Sequence, residues 1–385
     1  MTRIPVARIF ALLAASLLIW SHTFSNANVK VRVVVPKDTP DTARVFLAGS
    51  LPVLGNWRPD GLALTRTSDG SWQGEFSVRR GERIEFKVTL GSWDTEAIYQ
   101  KSHAPGNTVL QVLADTTVVM APVTWRHLGF SPPGGITGTV RYHRALTGQG
   151  LNYPKDVIVW LPPSYEGNPS KRYPVLYMHD GQNVIDPRTS YLGYDWRVDE
   201  VADSLIRAGS IEEIIVVGCS NSPDRAAEYS ETDLGRAYCE FVVTKLKPLV
   251  DSTYRTLPGR EYTGVMGSSM GGLISFLFVW WHPEVFSMAG CLSSAFSYGS
   301  GSILDAVESS TGLRAGTRVY LDCGTLDLEA RLLPGTERMR KLLVSKGMME
   351  GKDLLVVIDQ GAAHNEPAWA NRLWKPLTFM YGARK

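Results

Sequence analysis

The sequence predicts two folded domains, a small all-β sandwich followed by a larger α/β domain with a doubly wound sheet. Three observations predict this. Short β-branched runs separated by turn-forming residues fill the first third of the chain. From Thr139 onward, apolar runs of strand length alternate with helix-like segments. Between the two patterns lies SPPGG, which suits neither a helix nor a strand ladder.

The N-terminal segment has the pattern of a secretory signal peptide. Arg3 and Arg8 precede an apolar run from Ile9 to Trp20, and the small residues of Ser25-Asn26-Ala27 follow. The run is shorter than the ~20 apolar residues that a permanent membrane helix needs. We therefore expect residues 1–27 to be cleaved and the mature chain to be exported to the periplasm or the medium, free of the membrane. The alternative is an uncleaved N-terminal anchor.

Composition excludes several classes of function. The formal net charge is +2, and no basic stripe is interleaved with aromatic residues, so nucleic acid is a poor candidate partner. The chain has four cysteines, which are widely spaced and occur in no CxxC or Cys/His pattern. We expect them to be buried free thiols, and we expect no metal site and no cofactor.

Residues 28–123 are predicted to form the β-sandwich. Its strand candidates are VKVRVVV, RVFLAGS, SWQGEFSV, RIEFKVTL and TTVVMAP. Turn formers stand between them at intervals of roughly ten residues, as is typical of a small sandwich. The region between Ala97 and Val109 is too irregular to assign. Residues 124–137, which include SPPGG, are predicted to be a linker.

Residues 138–385 are predicted to form the α/β domain. Its strand candidates are DVIVWLP, PVLYMHD, IEEIIVVGCS, YTGVMGSS, SMAGCLSS, TRVYLDCG and DLLVVIDQG. Several are apolar throughout, as expected of parallel strands covered on both faces. Helix candidates between them include VDEVADSLIRAG, LGRAYCEFVVTKLKPLVDSTY and RMRKLLVSKG, of which the last two have apolar residues at helical spacing.

The segment Gly267-Ser268-Ser269-Met270-Gly271 matches G-x-S-x-G, placed between a buried strand and a helical run. This context is typical of the nucleophile elbow of an α/β-hydrolase fold, and it predicts Ser269 as the nucleophile. Ser268 lacks flanking glycines in register. The amide of Met270 would face a developing oxyanion. The alternative is a glycine-rich turn without chemistry.

A serine nucleophile needs a base, and in this fold the acid and then the histidine follow the serine. His364 follows the strand DLLVVI, whereas His282 ends the helix that starts at the elbow. We predict His364 as the base. Asp327, in the loop after TRVYLDCG, is the predicted acid, with Asp322 and Asp359 as alternatives.

The loop after PVLYMHD is predicted to complete the oxyanion hole through the amide of Gly181 or Gln182. His179 precedes the nucleophile, so we interpret it as a loop histidine bonded to backbone. Asn221, Arg225 and Tyr229 are candidates for lining a substrate pocket. They are equally consistent with a loop held by an Arg–Glu pair.

At these residues the chain resembles a known esterase family. The segments LPPSYEG, YPVLYMHDGQNVID, KPLVDSTYRTLP, GSSMGGLISF and GAAHNEPAW look like the family that contains esterase D, the feruloyl esterase modules and the enterochelin esterases. The resemblance covers about residues 138–383. It implies a Ser-Asp-His hydrolase at Ser269, Asp327 and His364, and it does not name the ester.

The front domain resembles family-20 starch-binding modules, in FLAGSLPVLGNWRPDGLAL and FKVTLGSWDTEA. The resemblance implies that Trp57, Lys87 and Trp93 hold an α-glucan. The alternative is that the rings pack in the sandwich core.

We expect an exported serine carboxylic-ester hydrolase that forms an acyl-enzyme, with a small-molecule or glycan-linked ester as substrate. Three alternatives remain open from the sequence: a siderophore esterase of the enterochelin type, an acyltransferase, and a glycan-binding protein whose hydrolase domain is only a scaffold.

Overall fold

The computed structural model describes residues 25–99, 107–129, 135–190, 193–298 and 302–383. These residues form two compact units, one ending by residue 129 and the other beginning by residue 135. Residues 1–24 of the predicted signal peptide lie outside the described residues. Asn26 and Ala27 already belong to the first strand, and Ala27 is buried. The strand therefore begins two residues before the predicted domain start.

The front domain packs two four-stranded sheets, with strand orders β4-β5-β1-β9 and β3-β2-β6-β8, and a short β7-β10 pair. Its strands are β1 Asn26–Val33, β2 Phe46–Gly49, β3 Leu62–Ala63, β4 Thr65–Arg66, β5 Trp72–Arg79, β6 Glu82–Thr89, β7 Ala97–Ile98, β8 Thr108–Val112, β9 Thr116–Met120 and β10 Thr124–Trp125. The unassigned region after Ala97 contributes β7 and β8. Alternate residues of β1 and β6, such as Val29 and Phe86, are buried because successive side chains point to opposite faces.

The front domain extends beyond residue 123. Trp125 on β10 is fully buried in its core, and the indole Nε1 donates to Thr39 Oγ1 at 2.8 Å. Helix α1, Arg126–Gly129, follows directly. The predicted linker 124–137 is therefore too long, because its first six residues belong to this domain.

The second domain contains an eight-stranded sheet of order β11-β12-β14-β13-β15-β16-β17-β18. The strands are β11 Thr139–Leu146, β12 Lys155–Leu161, β13 Val175–Met178, β14 Ile215–Cys219, β15 Thr263–Ser268, β16 Met288–Leu292, β17 Arg318–Cys323 and β18 Leu354–Ile358. The β11-β12 and β12-β14 pairs are antiparallel and the others are parallel. β11, which the sequence did not predict, is a largely solvent-facing edge strand.

Helices cover both faces of this sheet. They are α2 Val198–Arg207, α3 Arg225–Glu228, α4 Asp233–Phe241, α5 Lys247–Thr253, α6 Met270–Trp281, α7 Ser302–Ser309, α8 Leu328–Ser345, α9 Glu366–Arg372 and α10 Trp374–Tyr381. The predicted helix over 234–254 is α4 and α5 joined by a π-helical turn at Val242–Leu246. No helix among the described residues is long and apolar enough to cross a bilayer.

Neighbouring residues of each central strand enter opposite cores. Val157 and Val159 of β12 pack in one apolar cluster, whereas Ile158 and Trp160 pack in the other. This explains the continuous hydrophobicity of the strands. The four cysteines are buried free thiols, as predicted. Since β13 and β15–β18 run parallel, the loops that follow them meet at one edge of the sheet.

Candidate active site

Ser269 occupies the turn between β15 and α6 in a strained backbone conformation, with φ 59° and ψ −121°. Its amide donates to the Leu292 carbonyl at 2.9 Å, and its carbonyl accepts from the Ala295 amide at 3.0 Å. The Ser269 side chain is partly exposed, whereas Ser268 is buried. The strained turn therefore exposes the side chain of Ser269 and leaves that of Ser268 buried, as the motif predicts.

The elbow requires a glycine two residues before the serine. A Cβ atom on Gly267 would lie 2.8 Å from the backbone carbonyl of Gly271, on the first turn of α6. Any larger residue would push the strand away from the helix. The spacing of the motif therefore has a steric origin.

His364 follows β18 and precedes α9, whose N-cap is Asn365. Its imidazole is 14% exposed, and Nδ1 lies 3.0 Å from Glu329 Oε1. The ring also meets Trp369 edge to face, with the centroids 5.0 Å apart. Because Nδ1 is engaged by a carboxylate, Nε2 is the nitrogen left for proton transfer.

Glu329 is fully buried in the first turn of α8. Its second oxygen, Oε2, accepts from the Gly324 amide at 2.7 Å and from Cys323 Sγ at 3.0 Å. Burial alone would raise the pKa of Glu329, but hydrogen bonds from His364, Cys323 and Ser293 lower it to about 2. The residue is therefore a carboxylate at neutral pH, suited to orient an imidazole and to stabilise its protonated form.

The predicted acid needs correction, because the carboxylate at His364 belongs to Glu329 and not to Asp327. Asp327 is the N-cap residue of α8, with φ 52°. The chain enters the helix there, and two residues later Glu329 points back toward His364. The two alternatives are also placed elsewhere, since Asp322 and Asp359 both pair with Arg372.

The loop after β13 lies beside the elbow. A Cβ atom on Gly271 would be 3.3 Å from Asp180 Oδ2. Asp180 has a left-handed backbone, with φ 55°, and begins the short 3-10 helix Gly181–Asn183. The predicted oxyanion donors Gly181 and Gln182 therefore lie on a segment that adjoins Met270, the first residue of α6. The first amides of a helix lack intrahelical acceptors, which suits Met270 to the same role.

Asn221, Arg225 and Tyr229 hold this loop. Arg225 donates to both carboxylate oxygens of Asp180, from Nε to Oδ1 at 2.7 Å and from Nη2 to Oδ2 at 2.8 Å. Asn221 Nδ2 also donates to Asp180 Oδ1, at 2.6 Å. The Asp180 amide donates to the Tyr229 hydroxyl at 3.1 Å. Burial raises the pKa of Asp180, but Arg225 and Asn221 more than offset this and lower it.

These contacts favour the second interpretation of the three residues, a loop held by an arginine–carboxylate pair, although the carboxylate is that of Asp180. Their polar groups are directed at the loop after β13. The backbone amide of Asn221 also binds this loop, since it donates to Gln182 Oε1 at 3.1 Å. The three residues that the sequence offers as a pocket are therefore the partners of Asp180.

His179 is buried among aromatic rings behind the loop. Its Nδ1 lies 2.9 Å from the Tyr238 hydroxyl, and its ring packs against Tyr229, Tyr238 and Phe278. Burial lowers the pKa of His179 to about 3, so it is neutral at physiological pH. The expected bond to backbone is replaced by a bond to a side-chain hydroxyl, and the residue packs the loop in place.

Among the residues that the structure describes, three carboxylates near the start of α2 form a group that could hold a metal ion. Each residue offers one carboxylate oxygen, and the three oxygens, from Asp195, Asp199 and Glu200, lie within 4.8 Å of one another. Burial raises the pKa of Asp195 to about 7 and that of Asp199 to about 8. Asp199 is fully buried and accepts from the Thr137 amide. Protonation of one of these carboxyl groups would relieve the repulsion among the three.

Asparagine in place of Asp199 should stabilise the protein increasingly as the pH rises from 5 to 8. An unfolded carboxyl group ionises near its ordinary pKa, whereas the folded one keeps its proton up to about pH 8. Ionisation therefore favours unfolding across that window. Asparagine cannot ionise and can still accept from the Thr137 amide. Thermal unfolding at both pH values would measure the effect. Asp203→Asn, on the same helix, is the control, and an equal shift at both pH values would contradict the prediction.

The candidate sugar site of the front domain has two parts. Trp57 is 36% exposed and adopts φ 68°, which is unusual for a bulky residue. Trp93 begins a short 3-10 helix, Trp93–Thr95, and is partly exposed. Thr89, the last residue of β6, contacts the segments that carry both tryptophans. Its hydroxyl donates to the Pro59 carbonyl, two residues after Trp57, and its backbone pairs with Glu96, three residues after Trp93. The two indoles are therefore carried on loops at the same end of β6.

Lys87 departs from the expectation for this site. It is 5% exposed and forms a buried ion pair with Glu96, to which Arg126 also contributes at 3.8 Å. A lysine committed to a buried carboxylate is not placed to contact a sugar on the surface. Its role is to anchor the segment that follows Trp93.

Both domains match known families. Residues 148–380 match the model of the family described as "Putative esterase". The chain belongs to this esterase family. It is thus a carboxylic ester hydrolase of the serine type. Residues 28–120 of this esterase match the model of the starch binding domain.

Several known proteins are distantly similar in sequence to this esterase. The uncharacterized protein YbbA of Bacillus subtilis is 24% identical over 246 residues, which span 59% of this chain and 92% of YbbA. A ferulic acid esterase structure shares 22% identity with a TM-score of 0.53, covering 63% of this chain and 98% of its own. The enterobactin esterase FES of Shigella flexneri shares 15% identity with a TM-score of 0.54, covering 90% of each chain. At such identities the structures establish the shared fold.

Proposed function

We propose that this esterase cleaves carboxylic esters through Ser269, His364 and Glu329, by way of an acyl-enzyme. The observation that carries the proposal is the His364–Glu329 pair, 3.0 Å apart and partly buried, at the same sheet edge as a serine in a strained elbow. Glu329 takes the place that the sequence gave to Asp327.

The proposed reaction has two stages. Ser269 Oγ attacks the ester carbonyl while His364 Nε2 accepts its proton, and the amides of Met270 and Gly181 or Gln182 stabilise the oxyanion. The tetrahedral intermediate collapses, and His364 returns the proton to the departing alkoxide. Water then attacks the acyl-enzyme with His364 as base, which releases the carboxylic acid and restores Ser269. Replacement of that water by an alcohol would give acyl transfer.

Ser269→Ala should abolish both turnover of short-chain p-nitrophenyl esters and labelling by a fluorophosphonate. The side chain is the proposed attacking group, and alanine preserves the packing of the elbow. Ser268→Ala is the matched control, because Ser268 is adjacent but buried. Failure of the folded wild type to be labelled would overturn the proposal and favour a glycan-binding protein with a hydrolase scaffold.

We further propose that the ester is attached to a glycan, which the front domain holds against Trp57 and Trp93. The strained, exposed Trp57 and the partly exposed Trp93 support this, since flat indole faces stack on pyranose rings. A siderophore ester is the alternative substrate. Comparing kcat/KM for acetylated or feruloylated oligosaccharides and for a catecholate trilactone would decide between them.

Trp57→Ala should weaken binding to a maltooligosaccharide about tenfold or more, as expected for the loss of an aromatic anchor. Isothermal titration of the full-length protein would measure this. Trp374→Ala is the control, because Trp374 is 49% exposed but lies on α10 of the catalytic domain. Equal affinities for wild type and Trp57→Ala would contradict glucan binding at this loop.

Export remains a proposal that rests on the N-terminal sequence pattern. We expect the full-length chain, expressed in a bacterial host, to be recovered outside the cytoplasm with its N-terminus near Asn28. N-terminal sequencing would test this, and recovery of intact Met1 from membranes would instead indicate an anchor.

A further inference from the structure

Asp180 places a carboxylate beside the first turn of α6, next to the proposed oxyanion hole. A Cβ atom on Gly271 would lie 3.3 Å from Asp180 Oδ2. Gly271 directly follows Met270, the first of the proposed oxyanion donors. Gly181, on the loop that carries the second donor, directly follows Asp180. The side chain of Asp180 is only 10% exposed, so water screens its charge poorly.

This carboxylate is ionised, and its charge opposes the one that the reaction would create. Burial raises the pKa of Asp180, but Arg225 and Asn221 lower it below its ordinary value. Ester cleavage would build a negative charge on the carbonyl oxygen, which the start of α6 and the loop amides would stabilise. Like charges repel each other more strongly in a poorly hydrated site than in water. An unpaired Asp180 would therefore raise the barrier to ester cleavage.

Arg225 supplies the opposite charge through a two-point ion pair. Its Nε donates to Asp180 Oδ1 at 2.7 Å, and its Nη2 donates to Oδ2 at 2.8 Å. A guanidinium that meets a carboxylate at two points binds it more strongly than a neutral donor does. Asn221 Nδ2 also donates to Oδ1, but an amide has no charge to cancel that of the carboxylate. Arg225 is the cation paired with Asp180 among the residues that the structure describes.

The segment that carries Arg225 is anchored to the sheet. Arg225 begins the single turn α3, and Glu228 at the end of that turn forms a buried ion pair with Lys155 of β12. The next residue, Tyr229, accepts a hydrogen bond from the Asp180 amide at 3.1 Å, and its ring centroid lies 5.2 Å from the guanidinium carbon of Arg225. The positive charge is therefore fixed in place before the reaction begins, as electrostatic stabilisation of a transition state requires.

We infer that Arg225 is a positioning residue whose charge offsets that of Asp180, so that the developing oxyanion meets a neutral pair instead of an unpaired carboxylate. The inference rests on the proposed function, because it concerns the transition state of the same ester cleavage. It differs from two simpler roles for Arg225, which are direct contact with the substrate and mechanical tethering of the loop after β13. The three roles predict different kinetics.

Arg225→Met and the double variant Asp180→Asn/Arg225→Met test the inference in the full-length protein. Methionine is also unbranched but has no charge, so the single variant leaves the carboxylate of Asp180 unpaired. The double variant removes both charges, and the oxygen of the new asparagine can still accept from Asn221 Nδ2. Because it buries no unpaired charge, the double variant remains informative even where Arg225→Met fails to fold.

Arg188→Met is the matched control. Arg188 donates from Nε to Asp186 Oδ1 and from Nη2 to Asp186 Oδ2, each at 3.0 Å, on the same stretch of chain after β13. It therefore forms an ion pair of similar geometry, but its side chain is 72% exposed and its charge is screened by water. Circular dichroism would verify the fold of each variant.

Arg225→Met should lower kcat for a p-nitrophenyl ester about a hundredfold, which is the scale of losing one oxyanion donor. KM should change little, and fluorophosphonate labelling should slow by a similar factor. The double variant should recover to within about tenfold of the wild-type kcat, because the repulsion is gone. Arg188→Met should keep the wild-type kcat. A tether alone predicts no recovery, since the double variant also lacks the guanidinium.

A folded double variant that is as slow as Arg225→Met would overturn the inference. A rise in KM at unchanged kcat in Arg225→Met would also overturn it, and would indicate that Arg225 binds the substrate. If Arg225→Met does not fold, a folded double variant with kcat about a hundredfold below wild type would have the same meaning. A wild type that is not labelled, or full turnover in Ser269→Ala, would contradict the proposed function instead. The two failures are therefore distinguishable.

Discussion

Replacing Glu329 with glutamine should lower kcat about a thousandfold or more, the scale seen when the acid of a serine triad is neutralised. The Gly324 amide and Cys323 Sγ hold one side of the carboxyl group, so the glutamine oxygen would stay there and its amide would face His364 Nδ1. That amide donates, so Nδ1 must accept and Nε2 must carry the proton. His364 would then be unable to accept a proton from Ser269.

Asp327→Asn is the matched control for this substitution. It also neutralises a carboxylate near the start of α8, but that side chain is not the one bonded to His364 Nδ1. Steady-state turnover, with circular dichroism to verify folding, would compare the two. A large loss in Asp327→Asn with near-normal activity in Glu329→Gln would reinstate the acid that the sequence predicts.

Alanine at Gly181 should reduce kcat about a hundredfold or more, equivalent to losing an oxyanion donor. The added Cβ would lie 2.3 Å from the Gly218 carbonyl carbon and 2.5 Å from the Cys219 amide nitrogen. Both atoms belong to the rigid backbone of β14, so the loop must move instead. Such movement would shift the Gly181 and Gln182 amides away from the oxyanion.

Gly135→Ala is the control for that prediction, because Gly135 is exposed and an added Cβ would meet no atom within 4 Å. The rate of acyl-enzyme formation, measured in a pre-steady-state burst, should fall in Gly181→Ala and remain normal in Gly135→Ala. A normal burst rate in a folded Gly181→Ala would exclude this loop from the oxyanion hole.

The parts of the site that lie on one continuous segment could be predicted from the sequence. The Ser269 elbow is specified by local spacing, since Gly267 is required by a contact within the same strand, turn and helix. The position of His364 follows from chain order and from the strand before it. The continuous apolar strands likewise predict a covered parallel sheet without any knowledge of its neighbours.

The acid could not be chosen in this way. Asp327 and Glu329 are two residues apart, and either could supply a carboxylate to the loop after β17. The choice depends on the backbone turn at Asp327, where φ is 52°, and on donors at Cys323 and Gly324 that receive Glu329. The signal available in the sequence was a glutamate in the first turn of the helix, which is also common for electrostatic reasons.

Long-range polar contacts account for the other departures. Asn221, Arg225 and Tyr229 are candidate pocket residues by sequence, yet they hold Asp180, which is more than forty positions away. Lys87 is a candidate sugar ligand, yet a buried ion pair with Glu96 withdraws it from the surface. Sequence patterns record which side chains are polar, but they do not record which of them are paired.

The sequence by itself determined the two-domain organisation, the α/β class, the elbow serine and the histidine, because each depends on local periodicity, steric spacing or chain order. The tertiary structure alone decided that Glu329 orients His364. The physical reason is that a buried hydrogen bond is directional and requires donor and acceptor to meet within about 3 Å. That distance is set by the sheet that brings the ends of β16, β17 and β18 together.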